Sequence, residues 1–235
     1  GTVVGGALVS PWFSGLPAPA WVLDLPVSNS AYLLSMLALM ALNVAPVVLS
    51  LFIADNGTRY EQHSFHPWIL VQRFVKENVV LWRDTLGGLS MSVTTLLWGV
   101  GATLQLIVLR WAQEALHLPL AQAAYLQGVT AFGVIAGAAL ASRWVAMRHA
   151  ARLLPMGVAL GLSIPLMLCV ETVPAAAVLL VCVGGLAGFF VVPMNALLQL
   201  RGCTLLTAGR SVAVQGCNEN AGMLLMLLVY AAATA

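Results

Sequence analysis

Apolar residues run through this sequence in six long stretches, which short polar segments separate. The stretches cover residues 31 to 53, 87 to 109, 122 to 142, 154 to 170, 175 to 199 and 211 to 230. Each is close to the length of about 20 residues that a helix needs to cross a bilayer, and none shows the short alternation of a transmembrane strand. The pattern therefore predicts six membrane-spanning helices.

The overall composition agrees with this pattern. Hydrophobic residues make up 61% of the chain and charged residues 8%, whereas about 25% of the residues of an ordinary soluble domain are charged. Since backbone polar groups within a bilayer must be bonded internally, the predicted fold class is an all-α integral membrane protein, a polytopic helical bundle. The four cysteines form no C-x-x-C pair, and the sequence predicts no metal site, cofactor or disulfide framework.

The two ends of the sequence indicate a longer protein. The chain begins without Met in GTVVGGALVS, which looks like the last turns of a helix, and it stops abruptly at AAATA. Residues 10 to 30 carry four prolines and two tryptophans, which predict an interfacial loop and not a continuous helix. We therefore expect a fragment of a longer, transporter-like chain.

Residues 54 to 86 form the most polar segment and contain a helix of a different kind. Pro67 suits the first position of a helix. Apolar side chains then recur at helical spacing, while the charged side chains fall mainly on the other side; the apolar set is Val71, Phe74, Val75, Val79 and Trp82. This pattern predicts an amphipathic helix that lies on the membrane surface.

The basic residues indicate the orientation of the chain. Nine of the ten lie in three polar segments that fall on one side of the membrane if every stretch crosses once; they are Arg59, Arg73, Lys76, Arg83, Arg143, Arg148, Arg152, Arg201 and Arg210. Arg110 is the exception on the other side. The positive-inside rule assigns the basic side to the cytoplasm.

The stretch from 87 to 109 carries a stripe of polar and small residues. At helical spacing, one face collects Gly87, Ser90, Thr94, Trp98, Gly101 and Gln105. Such a stripe can line a cavity or close a contact between helices, because Ser, Thr and Gly serve both purposes. The sequence leaves both interpretations open.

Glycines four residues apart occur in three later stretches and predict close helix crossings. The pairs are Gly133 with Gly137, Gly157 with Gly161, and Gly184 with Gly188. Asn195 shares a helix face with the last pair, and Pro193 frees a backbone carbonyl in mid-helix, which predicts a bend there.

The last stretch, 211 to 230, is apolar except for one polar face. At about 100° per residue that face holds Ser211, Gln215, Asn218, Glu219, Gly222 and Met226. Asn220 points away from it. A carboxylate at the centre of a spanning helix costs roughly 2.5 to 3.5 kcal/mol on insertion scales, so it normally faces a bundle interior or a wet cavity. This face is therefore the leading candidate for a functional site.

Three segments resemble a known family. They are LLWGVGATLQL (Leu96 to Leu106), GFFVVPMNALLQLRG (Gly188 to Gly202) and TAGRSVAVQGCNENAGMLLML (Thr207 to Leu227). Through them the chain resembles the bacterial lysophospholipid transporter family, a branch of the major facilitator superfamily. The likeness covers nearly all of the chain in order and is strongest from Leu96 onward.

The resemblance implies a partial major-facilitator fold. Residues 1 to 53 would end the N-terminal half-bundle with a partial helix, an external loop and one full span. Residues 54 to 86 would be the central cytoplasmic loop, and residues 87 to 235 would be the C-terminal half-bundle with five spans and without its last helix. The chain would then run from the end of helix five to helix eleven of the family.

The resemblance also implies a function. Members of the family move lysophosphatidylethanolamine and lysophosphatidylglycerol to the inner leaflet of the bacterial inner membrane, where an acyltransferase partner re-acylates them. Where the family has Gln, Glu and Asn in its eleventh helix, this chain has Gln215, Glu219 and Asn220. Relatives often carry Arg where this chain has the neutral Gln105.

We therefore expect a flippase that works by alternating access between two half-bundles. Its expected substrate or coupling residues are Glu219, Gln215, Asn218, Gln105, Thr94, Trp98 and Asn195. No catalytic residue and no nucleic-acid partner are expected. An exporter of drugs or small solutes is the alternative within transport. Against a membrane-embedded acyltransferase or hydrolase, the sequence has no H-x-x-x-x-D, G-x-S-x-G or phosphate-loop motif.

Overall fold

A computed structural model describes residues 30 to 52 and 66 to 234 of the chain. Its helices are α1 (Ser30–Ser50), α2 (Pro67–Arg83), α3 (Thr85–Glu114), α4 (Leu120–Trp144), α5 (Leu154–Ser163), α6 (Val173–Leu205) and α7 (Ala208–Thr234). Two short 3-10 helices, Met147–Leu153 and Pro165–Cys169, flank α5. No strand occurs in the two described ranges, so the predicted all-α class is confirmed.

Five helical segments are long and apolar enough to cross a membrane, and they coincide with five of the six predicted spans. They are Thr85–Glu114, Leu120–Trp144, His149–Cys169, Val173–Leu205 and Ala208–Thr234. The protein is thus a polytopic helical membrane protein. The remaining predicted span, 31 to 53, coincides with α1, where Leu39–Ser50 is a shorter apolar helix, and it stays a prediction. The predicted loop at 10 to 30 lies outside the described residues.

Helices α4 and α6 cross so closely that only hydrogen fits between their backbones. A Cβ atom at residue 133 would collide with the carbonyl of Val181, and one at residue 137 would collide with the carbonyl of Gly185. Because the residue numbers increase in the same direction along both helices from one contact to the next, α4 and α6 run parallel. The predicted close crossing is confirmed here; its glycines are Gly133, Gly137, Gly184 and Gly188.

The remaining glycine pair, Gly157 and Gly161, behaves differently. A Cβ atom at Gly157 would lie 2.7 Å from the Phe190 ring, so this residue of α5 does make a close approach to α6. A Cβ atom at Gly161 would have no neighbour within 4 Å. The prediction of a close crossing is therefore right for Gly157 and wrong for Gly161, since the sequence spacing does not show where α5 ends its contact with α6.

Helices α3 and α7 form a second parallel pair. A Cβ atom at Gly99 would lie 2.8 Å from the carbonyl oxygen of Gly222, and one at Gly222 would lie 2.7 Å from Cγ2 of Thr95. One turn further along, Met226 also packs against Gly99. Helices α6 and α7 instead form an antiparallel hairpin, in which Gly202 near the end of α6 touches Ser211 near the start of α7.

These directions bring the starts of α3 and α7 and the ends of α4 and α6 to one end of the bundle. Arg143, Arg201 and Arg210 all lie at this end. Arg110 lies at the far end of α3, where it pairs with Glu114 at 2.7 Å. The helix directions therefore agree with the charge sorting that the sequence predicts.

Helix α2 packs against the basic end of the bundle. Leu81 of α2, Met91 of α3, Leu198 of α6 and Val214 of α7 form one buried cluster, and Phe74 packs against it. One residue, Asp84, connects α2 to α3. Four helices thus meet at a small apolar core directly beside this connection.

Asp84 makes two kinds of contact at this junction. Its Oδ2 accepts a hydrogen bond from the backbone N–H of Gly87 at 2.7 Å, which caps the start of α3. The guanidinium of Arg201 donates to both carboxylate oxygens, with Nε at 2.8 Å from Oδ2. The hydrogen bond from Arg201 holds the pKa of Asp84 below its ordinary value of 3.8, with the Gly87 amide adding to the effect and burial opposing it.

Gly137→Ala should destabilise the full-length protein by about 1 to 3 kcal/mol, because its methyl group would meet the backbone of α6. Thermal unfolding of the purified protein in detergent measures the effect. Gly161→Ala is the matched control, since a Cβ atom there has no neighbour within 4 Å. Equal melting temperatures for the two variants would contradict the close crossing.

Asp84→Asn should lower the melting temperature at pH 7 by a few degrees. Asn is as good a helix cap as Asp, so the loss reports the charge pair with Arg201. Because the folded-state pKa is lowered, the stabilisation is present above pH ~4 and is lost as pH falls through the folded pKa. The difference between wild type and variant should therefore shrink on acidification. Glu114→Gln, in an exposed pair, should show little effect at any pH.

Candidate functional site

The α6–α7 hairpin brings three of the predicted site residues together. Nε2 of Gln215 donates to Oδ1 of Asn195 at 2.8 Å and to Oε1 of Glu219 at 2.8 Å. All three side chains are half-buried. Glu219 lies nine residues beyond Arg210 on α7, which is about 13 Å along the helix axis at 1.5 Å per residue. The three residues therefore lie well inside the spanning segment.

The carboxylate sets the direction of the hydrogen bonds in this group. An ionised Glu219 can only accept, so the nitrogen of the Gln215 amide must face it. The same nitrogen also faces Asn195, which must then present its oxygen. Gln215 Oε1, Glu219 Oε2 and the Asn195 amide nitrogen are left for other partners. The group therefore offers two acceptors and one donor to a ligand.

No basic side chain among the described residues forms an ion pair with Glu219. Its hydrogen-bond partner is the neutral amide of Gln215. A carboxylate at this depth is costly unless it is neutralised or paired. The arrangement therefore favours a site that takes up a cation or a group rich in N–H donors.

Asn218, the fourth predicted residue of α7, makes its contacts elsewhere. Its Oδ1 accepts from the indole N–H of Trp82 at 3.1 Å. Its Nδ2 donates to the carbonyl of Val214 at 2.8 Å and to Oδ1 of Asn78 at 3.3 Å. Asn218 therefore contacts α2, and it does not join the group around Glu219.

The stripe on α3 has two different halves. Gly87, Ser90 and Thr94 are buried, and the hydroxyl of Thr94 donates to the carbonyl of Met91 at 3.2 Å. Trp98 and Gln105, in the other half, are exposed. The packing interpretation is confirmed near the basic end, and in the other half the cavity wall stays a prediction. Thr94 is thus a packed residue, and Trp98 and Gln105 are accessible.

Asn220 agrees with its predicted position. It is exposed, and its Nδ2 donates to the carbonyl of Gly216 on its own helix at 2.7 Å. Gly222 and Met226, predicted on the polar face, pack against α3. The polar face of α7 is therefore divided between α2, α3 and the group around Glu219.

The part of α2 that faces α7 was not predicted from the sequence. Glu77 pairs with Arg210 across 3.1 Å, and Asn78 and Trp82 bond to Asn218. Trp82 was assigned to the apolar face of the helix. Its indole N–H, a hydrogen-bond donor, was the one sign that it needs a polar partner. Its partner lies 136 positions away, so no local pattern could have revealed the pair.

Curated proteins resemble the chain over most of its length. The chain is 38% identical over 182 residues to the lysophospholipid transporter LplT of Yersinia enterocolitica, an alignment that covers 77% of this chain and 45% of that protein. The chain is a homologue of the lysophospholipid transporters. It is also 37% identical over 190 residues to LplT of Serratia proteamaculans, covering 80% of this chain and 48% of the relative. For LplT of Yersinia pestis, the values are 36% over 201 residues, 85% and 50%.

The predicted resemblance is thereby confirmed. The chain spans about half the length of the curated relatives that it matches. No family model matches the sequence. No solved structure matches it either.

Gln215→Leu should lower the melting temperature of the full-length protein by a few degrees, because Glu219 and Asn195 would lose their shared hydrogen-bond donor inside the bundle. Thermal unfolding of the purified protein in detergent measures the change. Asn220→Leu is the matched control on the same helix, since Asn220 is exposed and bonds to its own helix. An equal loss in the control, or a wild-type melting temperature for Gln215→Leu, would contradict the hydrogen-bonded group.

Proposed function

We propose that this chain is part of a lysophospholipid transporter and supplies one wall of its substrate path. The polar group of Asn195, Gln215 and Glu219, inside two spanning helices, carries the proposal. Homology to proteins named lysophospholipid transporter supports it. A lysophospholipid needs polar groups for its head and apolar surroundings for its single acyl chain; α7 carries Gln215 and Glu219 and also exposes Leu224, Leu225 and Leu228.

The hydrogen-bond directions support one orientation of the head group in the proposed site. The free acceptors, Oε1 of Gln215 and Oε2 of Glu219, suit the ammonium group of an ethanolamine head. The amide nitrogen of Asn195 suits a phosphate oxygen. Trp98 and Gln105, exposed on α3, are further candidates for contact with the substrate. The neutral Gln105 provides no cation for the phosphate, so the donor from Asn195 gains importance.

The transport mechanism, the membrane and the partner of the proposed transporter involve more than the described helices. The transporter would work by alternating access in a major-facilitator fold, with the missing half-bundle forming the other wall. It would lie in the bacterial inner membrane and deliver lysophosphatidylethanolamine and lysophosphatidylglycerol to an acyltransferase. The curated relatives are named transporters, and in line with them we propose no enzymatic reaction for this chain.

Glu219→Gln tests the role of the charge. In the full-length protein it should reduce uptake of lysophosphatidylethanolamine by roughly tenfold, since the charge-assisted hydrogen bond to the ammonium is lost. Uptake of lysophosphatidylglycerol, which has no ammonium, should fall less. Proteoliposomes that contain each lipid separately provide the measurement.

Glu114→Gln is the control for this experiment, because Glu114 is an exposed carboxylate at the far end of α3. A folded Glu219→Gln protein that transports both lipids at the wild-type rate would overturn the proposed role of Glu219. Wild-type uptake of small drugs in preference to lysolipids would overturn the proposed substrate.

A further inference from the structure

Helix α2 is attached to the helix that carries Glu219. Three different contacts join α2 to α7: the ion pair of Glu77 with Arg210, the hydrogen bonds of Asn78 and Trp82 to Asn218, and the packing of Leu81 on Val214. The positions 74, 77, 78 and 81 follow the i, i+3, i+4, i+7 spacing of one helix face. A whole face of α2 is therefore committed to the bundle.

This placement leaves a neighbouring side of α2 outside the bundle. Val71, Val75 and Val79 are exposed at 52%, 52% and 42%, whereas Phe74 packs against the buried cluster. A helix that is held only by a membrane surface is held through its apolar side chains. The face of α2 that contacts the bundle also includes two polar side chains, Glu77 and Asn78, and each has a partner on α7. These two contacts are specific, because each joins complementary groups.

Asn218 has little capacity left for a substrate. Its oxygen accepts from Trp82, and its nitrogen donates to Asn78 and to the Val214 carbonyl. An amide nitrogen has two hydrogens, so both are used. In this arrangement Asn218 anchors α2 to α7.

The anchor lies beside the polar group of the proposed site. Asn218 directly precedes Glu219, and Val214, which accepts from Asn218, directly precedes Gln215. The turn of α7 from 214 to 219 therefore holds both the anchor and the two residues that face the ligand. A displacement of Asn218 would shift Glu219 and Gln215 relative to Asn195 on α6.

We infer that Trp82 and Asn78 are positioning residues for the transport site: they hold Asn218, and through it the turn of α7 that presents Gln215 and Glu219. The inference deepens the proposed function and rests on it for the identity of the substrate. It assigns Asn218 to the anchor and removes it from the residues that touch the lysolipid. It also makes the loop helix α2 a structural part of the site.

A double-mutant cycle on the full-length protein tests the inference. Trp82→Phe keeps the aromatic ring and removes the indole N–H, and Asn218→Leu removes its acceptor. Trp82→Phe should raise the KM for fluorescently labelled lysophosphatidylethanolamine by roughly fivefold, which corresponds to the loss of one hydrogen bond. Asn218→Leu should raise it at least as much, since it also removes the bond to Asn78. The double variant should be no worse than the Asn218→Leu variant, because both changes break the same contact.

Trp144→Phe is the matched control, since Trp144 is an exposed tryptophan at the end of α4; its KM should stay at the wild-type value. If Asn218 binds the substrate, Asn218→Leu will raise KM while Trp82→Phe leaves it unchanged, which would overturn the inference. Additive effects in the double variant would overturn it as well. If Asn218→Leu does not fold, Asn218→Ala takes its place, with the same expected lack of additivity against Trp82→Phe, because it removes the same acceptor.

Melting temperatures of the same variants separate positioning from general stability. A purely structural contact would lower the melting temperature while KM per folded molecule stays at the wild-type value, and that result would also overturn the inference. The thermal cycle needs no substrate. If the wild-type protein moves no lysolipid, the proposed function fails, and additive melting-temperature changes would then overturn the contact itself.

Discussion

The carboxylate of Asp84 is the interaction on which the arrangement of the helices depends. It caps α3 through the Gly87 amide and binds the Arg201 guanidinium at the end of α6. Because Asp84 is also the residue between α2 and α3, it determines where α2 leaves the bundle. The buried cluster of Leu81 with its neighbours on three other helices forms beside it. Asp84 thus anchors to α3 and α6 the point from which α2 reaches α7.

The second constraint is the close approach of helix pairs. In a bilayer, apolar side chains gain little by leaving lipid, so helix contacts depend on close packing and on internal hydrogen bonds. Glycine allows the close packing here: the backbone of α6 lies against Gly137, and the backbone of α7 lies against Gly99. The parallel pairs α4–α6 and α3–α7 leave α6 and α7 as an antiparallel hairpin. Asn195 and Gln215 meet across that hairpin, which assembles the polar group from residues 20 positions apart.

Much of the fold was visible in the sequence, whereas only part of the site was. Five spans and the charge sorting follow from hydropathy and loop composition, which are local properties. Glu219, Gln215 and Asn195 were identified because polar residues in an apolar run are unusual. Asn218 is also a polar residue in an apolar run and lies on the same helix face, yet it bonds to α2. Helical periodicity gives the direction of a side chain and says nothing about which element fills that direction.

The sequence by itself determined the fold class, the five described spans and the presence of a carboxylate within the spanning helix α7, because each depends on residue type and spacing within one segment. The tertiary structure decided which polar residues share a site, since that depends on contacts between distant segments. It divided the α3 stripe into a packed half with Thr94 and an open half with Trp98. It also placed Trp82 on Asn218, because the turn at Asp84 brings α2 back against α7. No pattern within either helix encodes that turn's direction.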